Sequence, residues 1–361
     1  MNIFSWQIPL WEQLLGDPEK LPHAMLFLGP EGVGKSAFAQ ALAARLLCEQ
    51  QTAHKVGTAC GVCSSCIWLA SGNHPDFRLV QPEDGEDTAG GEDTENTPRA
   101  SSLARKPGQG QIRVDQIRAL EDFVFVGSHR QGRRVALLAP AEMMTPAAAN
   151  SLLKILEEPP SGVYFILVSS HWRRLLPTIL SRCRSVVFGR PDPLTAVRWL
   201  LAQGVKSPDE LLELASGAPL IAADWAEQGR LDPYRKAIEV LAEKPVDPVA
   251  MAAKWSALVK SEQGFGLSQL VEAVQKWVFD LVLLKLAGRC RYHLAWRGAL
   301  DGFAATASNA GLLSCYNDLL RIRAVARHPL NTQLFLEDMA ARYLRALAPQ
   351  NRQQALATGR T

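Results

Sequence analysis

The sequence predicts an α/β P-loop domain with a parallel sheet, followed by a small helical lid domain and a C-terminal helical bundle. Residues 29–36, GPEGVGKS, stand between an apolar segment and an alanine- and leucine-rich one, which is the strand–loop–helix order of a P-loop. Apolar segments alternate with helical ones through the first half, as in parallel sheets. Strand signals end near Pro191, and the remainder is helical in pattern.

Short apolar segments predict the strands of the first domain. Residues 24–28 form one between Pro22 and the glycine loop, and residues 134–138 and 164–168 have a similar composition. Helices are predicted at residues 37–47, 112–126 and 146–156. Paired prolines follow the last of these and stop it.

The chain length of 361 residues exceeds one ordinary core and indicates two or three domains. We predict a P-loop domain at residues 1–186, the lid at 187–232 and the bundle at 233–361. The first domain carries a metal-binding insertion at 48–66. Residues 83–111 are rich in Gly, Ser, Thr and acids, so a disordered surface loop is predicted there.

Composition indicates a soluble globular protein. Hydrophobic residues make up 47% of the chain, charged residues 21%, and the net charge is +3. This balance permits nucleic-acid contact without requiring it. The N-terminus lacks a signal-peptide pattern, and no uncharged apolar run is long enough to span a membrane. We therefore expect a cytoplasmic protein with no membrane partner.

The glycine loop satisfies the full P-loop pattern and predicts binding of ATP or ADP, with Mg²⁺ as a possible companion. Gly29, Gly32 and Gly34 allow the backbone N–H groups to face phosphate oxygens. Lys35 supplies a positive charge for the β- and γ-phosphates, and Ser36 offers a magnesium ligand. The alternative is a relic loop that holds a simple anion or nothing.

The position where P-loop ATPases carry a magnesium-binding carboxylate is occupied by Ala139 and Pro140, within VALLAPAE. Neither residue can bind a metal through its side chain. Glu142 follows shortly after and is predicted to be a solvated loop residue. A site of this kind is expected to hydrolyse nucleotide very slowly.

Four of the seven cysteines cluster in one segment, at Cys48, Cys60, Cys63 and Cys66. Two overlapping C-x-x-C units with a fourth thiolate predict tetrahedral zinc, structural because no ligand position stays open. An iron–sulfur cluster also needs four thiolates but has other usual spacings. His54 and His74 lie nearby and are not needed as ligands.

Ser181, Arg182 and Cys183 form the last motif, within TILSRCR. Taken alone, Arg182 is an ordinary surface charge. An arginine just past a strand of a P-loop domain can instead act in trans as an arginine finger.

Together these stretches resemble the bacterial DNA polymerase III clamp loaders of the AAA+ class. The resemblance rests on HAMLFLGPEGVGKS, the cysteine block running into SGNHPDF, IRVDQIR, AAANSLLKILEEPP and TILSRCR, and it covers about residues 20–185. It implies a hetero-pentameric ring with gamma/tau and delta subunits that loads a sliding clamp onto primer–template DNA, in the cytoplasm at the replisome. The helical bundle would then be the oligomerising collar.

The resemblance also implies roles for individual residues. Arg182, with Ser181 and Cys183, would form the SRC motif that reaches ATP held by the adjacent subunit. Motor subunits of the family carry Asp-Glu where this chain has Ala139 and Pro140. They also carry a second sensing arginine, at about the position of Leu220. Ser169 or Ser170 would fill the polar first-sensor role.

These departures favour a stator that donates its arginine and has no robust activity of its own within the polymerase holoenzyme. One alternative is an active motor ATPase similar to gamma/tau. Another is a stand-alone zinc-dependent nucleic-acid binder, but the cysteine block is not interleaved with basic and aromatic residues as such binders are.

Overall fold

A computed structural model describes residues 3–16, 21–50, 57–83, 110–125, 132–243, 247–262, 264–326 and 331–348. The chain divides into two compact units, Met1–Thr195 and Ala196–Thr361. Among the described residues, no helix combines the length and the apolar composition that crossing a bilayer requires.

The first unit is built on a parallel sheet with the strand order β2-β3-β4-β1-β5. Its strands are β1 (Ala24–Leu28), β2 (Phe77–Val80), β3 (Arg134–Leu138), β4 (Val163–Ser169) and β5 (Arg184–Val187). Its helices are α1 (Ile8–Leu15), α2 (Lys35–Leu47), α3 (Ser64–Ala70), α4 (Val114–Phe125), α5 (Pro146–Glu157) and α6 (Pro177–Arg182). The predicted α/β fold class is confirmed.

The strand register places the ends of β1, β3 and β4 at one edge of the sheet. Leu28 pairs with Ser169, and Leu138 pairs with Leu167. The loops that follow these three strands therefore start side by side, where parallel sheets commonly bind ligands.

The three predicted strands are confirmed: β1 and β3 have the predicted bounds, and β4 is one residue longer at each end. Strands β2 and β5 were not predicted. They form the two edges of the sheet, β5 buries only Val186, and the charged residues Arg78 and Arg184 are exposed. An edge strand is partly exposed to solvent and therefore does not need a continuous apolar sequence.

Helix α2 is fixed to the sheet by an aromatic cluster. The Phe38 ring meets Trp11, Phe27 and Phe188 edge-on, at centroid separations of 5.1, 5.5 and 5.0 Å. Such edge-to-face pairs add specific geometry to apolar burial. They hold the start of α2 in place directly after the glycine loop.

Most of the predicted disordered loop, at residues 84–109, lies outside the described residues. At its borders Glu83 pairs with Gln111, and Ile112 pairs with Met144. The chain on the two sides of this segment is therefore anchored to the same unit.

The second unit is helical throughout its described residues. Helix α7 (Pro193–Ala202) crosses the boundary, and it is followed by α8 (Pro208–Leu214), α9 (Pro219–Glu227), α10 (Leu231–Ala242), α11 (Pro248–Ser261), α12 (Leu267–Ala287), α13 (Arg297–Thr306), α14 (Asn309–Val325) and α15 (Thr332–Leu347). These helices share one hydrophobic core, from Ala196 to Ala346. The predicted division into a lid and a collar at residue 232 stays a prediction.

A buried carboxylate organises this second core. Asp280 on α12 is fully buried and accepts backbone N–H groups from Arg291, Tyr292 and His293 at 2.8–2.9 Å. The His293 ring donates to it through Nδ1 at 2.9 Å and meets the Tyr234 hydroxyl through Nε2 at 2.8 Å. Burial opposes ionisation, but these hydrogen bonds hold the pKa of Asp280 below its ordinary value.

Replacing Asp280 with alanine is expected to lower the free energy of unfolding by about 3–5 kcal/mol, because two buried donors of His293 and the part-buried N–H groups of Arg291 and Tyr292 lose their charged acceptor. Urea unfolding of the full chain measures the change. Asp301→Ala is the control, since Asp301 is exposed and, among the described residues, its one ion pair is with Arg297 on α13. A loss for Asp280→Ala no larger than the control's would contradict this account.

Candidate functional site

The glycine loop joins β1 to α2 and has a backbone that requires glycine. Gly32 and Gly34 lie at φ values of 72° and 94°. A Cβ on Gly34 would stand 2.6 Å from the Phe4 ring and 2.7 Å from the Gln7 amide. A Cβ on Gly29, at φ 155°, would overlap the backbone of Phe188. The loop is therefore packed tightly against its surroundings.

The Lys35 side chain folds back over the loop. Its Nζ donates to the carbonyl oxygens of Gly29 at 2.8 Å and Pro30 at 2.6 Å, and to Ser170 Oγ at 2.9 Å. Burial lowers the pKa of Lys35 to about 8, and the nearby Glu142 carboxylate partly offsets this. Phosphate oxygens arriving in the loop would replace these acceptors.

Two further features prepare the loop for an anion. Ser36 is exposed in the first turn of α2, so its hydroxyl is open to a ligand. The Val33 carbonyl is held by Trp6 Nε1 and Gln7 Nε2, both at 3.1 Å. The N-terminal turn thus secures the loop from outside, while the N–H groups at the start of α2 supply the positive end of the helix.

Glu142 is not the solvated residue that the sequence predicted. Its side chain is only 4% exposed, and Oε1 accepts the Ser170 N–H at 3.0 Å and meets His171 Nδ1 at 3.2 Å. A short 3₁₀ turn after β3, Ala141–Met143, directs the carboxylate back toward the end of β4. Although burial opposes it, this hydrogen bonding lowers the pKa of Glu142.

Glu142, Ser170 and Lys35 form a chain of contacts from the end of β4 to the glycine loop. Ser170 is the one of the two sensor candidates whose hydroxyl meets Lys35, while Ser169 Oγ accepts the His171 N–H at 3.2 Å. Within the described residues, Glu142 Oε2 is buried without a hydrogen-bond partner. A carboxylate therefore stands near the glycine loop, although it is not at the position directly after β3, where the sequence lacks one.

The four cysteines meet as predicted. Cys48 follows the last turn of α2, and Cys63 caps the N-terminus of α3. The four Sγ atoms of Cys48, Cys60, Cys63 and Cys66 all lie within 4.8 Å of one another. A tetrahedral ion with Zn–S bonds of about 2.3 Å fits between sulfurs at such separations.

Backbone N–H groups point at these sulfurs. Cys48 Sγ accepts from the Cys60 amide at 3.3 Å, and Cys60 Sγ accepts from the Cys63 amide at 3.3 Å and the Val62 amide at 3.5 Å. The hydrogen bond from the Val62 amide is the largest cause that lowers the pKa of Cys60 to about 6, and the Cys63 amide adds to it. Burial raises the pKa of Cys48 and Cys66. A divalent cation would remove the cost of charging the buried thiols.

His74 supports the cysteine segment rather than joining it. Its Nε2 meets Ser65 Oγ at 2.5 Å, its Nδ1 accepts the Asp76 N–H at 3.0 Å, and the Ser65 hydroxyl donates to the Leu47 carbonyl at 2.6 Å. These contacts tie α3 to the end of α2. His54 lies outside the described residues.

Arg182 is the last residue of α6 and precedes β5, so the expectation that it lies just past a strand is wrong. Its Nε donates to Glu157 Oε1 at 2.6 Å, and Nη2 forms an ion pair with the same oxygen. Nη1 lies 3.2 Å from the Thr178 carbonyl oxygen. The side chain keeps about a third of its surface exposed.

The neighbours of Arg182 in the motif have simpler surroundings. Ser181 is exposed, and its hydroxyl donates to the Thr178 carbonyl at 3.0 Å. Cys183 is buried in the core, and burial raises the pKa of its thiol to about 12. Cys183 therefore anchors the end of α6 as an unreactive apolar residue. In the second unit, Leu220 lies in the first turn of α9.

Comparison with known proteins gives consistent matches. Residues 10–192 match the family model described as DNA polymerase III, delta subunit. The chain is 34% identical over 302 residues to the DNA polymerase III subunit delta′ of Pseudomonas aeruginosa, covering 76% of this chain and 84% of that protein. It is 33% identical over 224 residues to the Escherichia coli subunit of that name, covering 61% and 59%.

A weaker likeness extends to a second kind of subunit. The DNA polymerase III subunit gamma/tau of Mycobacterium tuberculosis is 33% identical over 187 residues. That alignment covers 52% of this chain but only 28% of the gamma/tau protein.

Proposed function

The chain belongs to the DNA polymerase III delta-prime family, and from that premise we propose that it is the stator of a bacterial clamp loader. In this role it occupies one place in a hetero-pentameric ring with gamma/tau and delta subunits. The ring opens a sliding clamp and loads it onto primer–template DNA. The chain binds ATP or ADP, with or without Mg²⁺, and does not turn it over.

One observation carries this proposal: a complete P-loop stands beside a strand end that offers Ala139 and Pro140 instead of carboxylates. Gly29, Gly32 and Gly34 shape the loop, Lys35 would meet the phosphates, and Ser36 would offer a ligand to the metal. The residues that would hold magnesium and orient water at β3 are absent from that position. Binding without turnover is the chemistry that such a site supports.

The contribution to ATP chemistry then comes from Arg182, which reaches the nucleotide of the adjacent subunit with Ser181 and Cys183 fixing its position. Arg182 lies at a helix end with a partly exposed guanidinium, which supports this role. We further propose that Cys48, Cys60, Cys63 and Cys66 hold one structural zinc ion.

The motor alternative is supported by Glu142, whose buried carboxylate lies near Lys35 and accepts the Ser170 N–H, although Glu142 does not directly follow β3. Glu142 alone does not separate the two functions, because Oε1 is bonded to Ser170 and His171 while Oε2 has no hydrogen-bond partner within the described residues. A motor also needs the second sensing arginine, and Leu220 stands at about that place. We therefore rank the motor below the stator.

Lys35→Ala is expected to weaken ATP and ADP binding to the isolated chain by about 10- to 100-fold, because a charged hydrogen-bond donor to phosphate is lost. The unmodified isolated chain is expected to show no steady-state ATP hydrolysis that depends on Lys35. Calorimetric titration and a phosphate-release assay measure the two quantities.

Lys206→Ala, at an exposed position of the second unit, is the control. If the isolated chain hydrolyses ATP in a way that depends on Lys35 and is abolished by Glu142→Gln, the stator hypothesis is wrong and the motor hypothesis is favoured.

A further inference from the structure

The Arg182 guanidinium is held by the carboxylate that ends α5. Arg182 and Glu157 are each the last residue of a helix, 25 positions apart in sequence. Nε and Nη2 both approach Glu157 Oε1, which places one edge of the planar guanidinium against the carboxylate. This contact sets the orientation of the group.

The remaining contacts leave part of the guanidinium available. The group has five N–H bonds. Two point to Glu157, and Nη1 points to the Thr178 carbonyl at 3.2 Å and, over a longer 3.4 Å, to Ser181 Oγ. Within the part of the chain that the structure describes, at least one N–H of Nη2 is left for another acceptor, and the side chain is 34% exposed.

This ion pair contributes little to folding, because both partners are substantially exposed to water. The ion pair matters more for the orientation of the Arg182 side chain than for the stability of the fold. A free arginine side chain samples many rotamers, and ordering it when a partner docks reduces affinity. A guanidinium already fixed by Glu157 avoids most of that loss.

We propose that Glu157 is a positioning residue for Arg182, holding one edge of the guanidinium so that the other is presented to the phosphates of the neighbouring subunit's ATP. The inference rests on the proposed role of Arg182 in trans. Glu157, the first glutamate of the LEEPP segment, would then orient Arg182 as well as end α5.

The test uses the reconstituted clamp loader with Glu157→Ala in this chain. The rate of clamp loading is expected to fall about tenfold, the scale of ordering one long side chain. Glu157→Gln is expected to recover most of the rate, because an amide oxygen still accepts from Nε and Nη2. Thermal unfolding of the chain and assembly of the ring are expected to stay unchanged.

Glu158→Ala is the matched control, since Glu158 is the adjacent exposed glutamate and its carboxylate makes no ion pair in the described part of the chain. In an Arg182→Ala background, Glu157→Ala is expected to cause no further loss. That result would separate positioning of Arg182 from any other effect of the mutation.

Three outcomes overturn the inference. If Glu157→Ala matches Glu158→Ala while Arg182→Ala is impaired, the positioning role fails and the proposed function stands. If Glu157→Ala lowers loading equally in the Arg182→Ala background, or lowers stability or assembly, Glu157 acts through something else. If Arg182→Ala loads clamps at the unmodified rate, the proposed function itself fails.

Discussion

Replacing Arg182 with alanine is expected to slow ATP hydrolysis at the neighbouring subunit's site by about 10³-fold or more, the usual contribution of a fully engaged arginine finger. The guanidinium stabilises charge on the transferring phosphoryl group, and alanine offers nothing in its place. Only one of the ring's ATP sites is affected. Total clamp- and DNA-stimulated hydrolysis should therefore fall partially, and clamp loading, which needs the sites to act together, should fall further.

Arg182→Lys is expected to reduce ATP hydrolysis and clamp loading almost as much as Arg182→Ala, because an ammonium group lacks the planar fork of donors. Both variants should assemble, since the hydrogen-bond partners of Arg182 among the described residues are exposed groups of its own unit. Arg173→Ala, an exposed arginine that stacks on Trp172, is the control. Gel filtration checks assembly before both activities are assayed. Wild-type hydrolysis and loading by Arg182→Ala would show that this arginine serves only its own unit.

Cys63→Ser is expected to reduce bound zinc from about one ion per chain to nearly none. Four thiolates close a tetrahedron, and loss of one removes both charge and geometry; structural zinc sites contribute on the order of 10 kcal/mol to folding in small peptides. The segment from Cys48 to Ala70 should then open, with faster amide exchange and proteolysis. Serine remains a good N-cap for α3, so the change reports on the metal rather than on the cap.

Elemental analysis and native mass spectrometry measure the zinc content. The control is Cys290→Ser, outside the cluster, where a hydroxyl can keep the hydrogen bond that the thiol donates to Asp280. Unmodified protein with much less than one zinc and four freely titrating thiols would refute the zinc assignment.

The central strands were predictable because residues buried on both faces are mostly apolar in a continuous run, as Ala24–Leu28 and residues 135–138 are. The buried Arg134 at the start of β3 is the exception. Strands β2 and β5 were not, since edge positions tolerate Arg78 and Arg184. The cysteine cluster was predictable because two C-x-x-C units restrict where their sulfurs can lie.

The surroundings of single charged residues were harder to predict. Glu142 was misassigned because a 3₁₀ turn, which its spacing from β3 does not specify, turns it inward. The Glu157–Arg182 pair joins two helix ends that only the folded chain brings together. The six-residue helix α6 before β5 has no clear signal in the TILSRCR segment. Arg182 was therefore expected just past a strand, whereas it is the last residue of a helix.

The central claim is that this chain acts on ATP through its arginine and not through its own loop. Clamp- and DNA-stimulated ATP hydrolysis by the reconstituted complex, measured side by side for Arg182→Ala and Lys35→Ala in this chain, tests it most directly. The stator account predicts reduced hydrolysis for Arg182→Ala and nearly unchanged hydrolysis for Lys35→Ala. The reverse order, with Lys35→Ala impaired and Arg182→Ala unaffected, would contradict it.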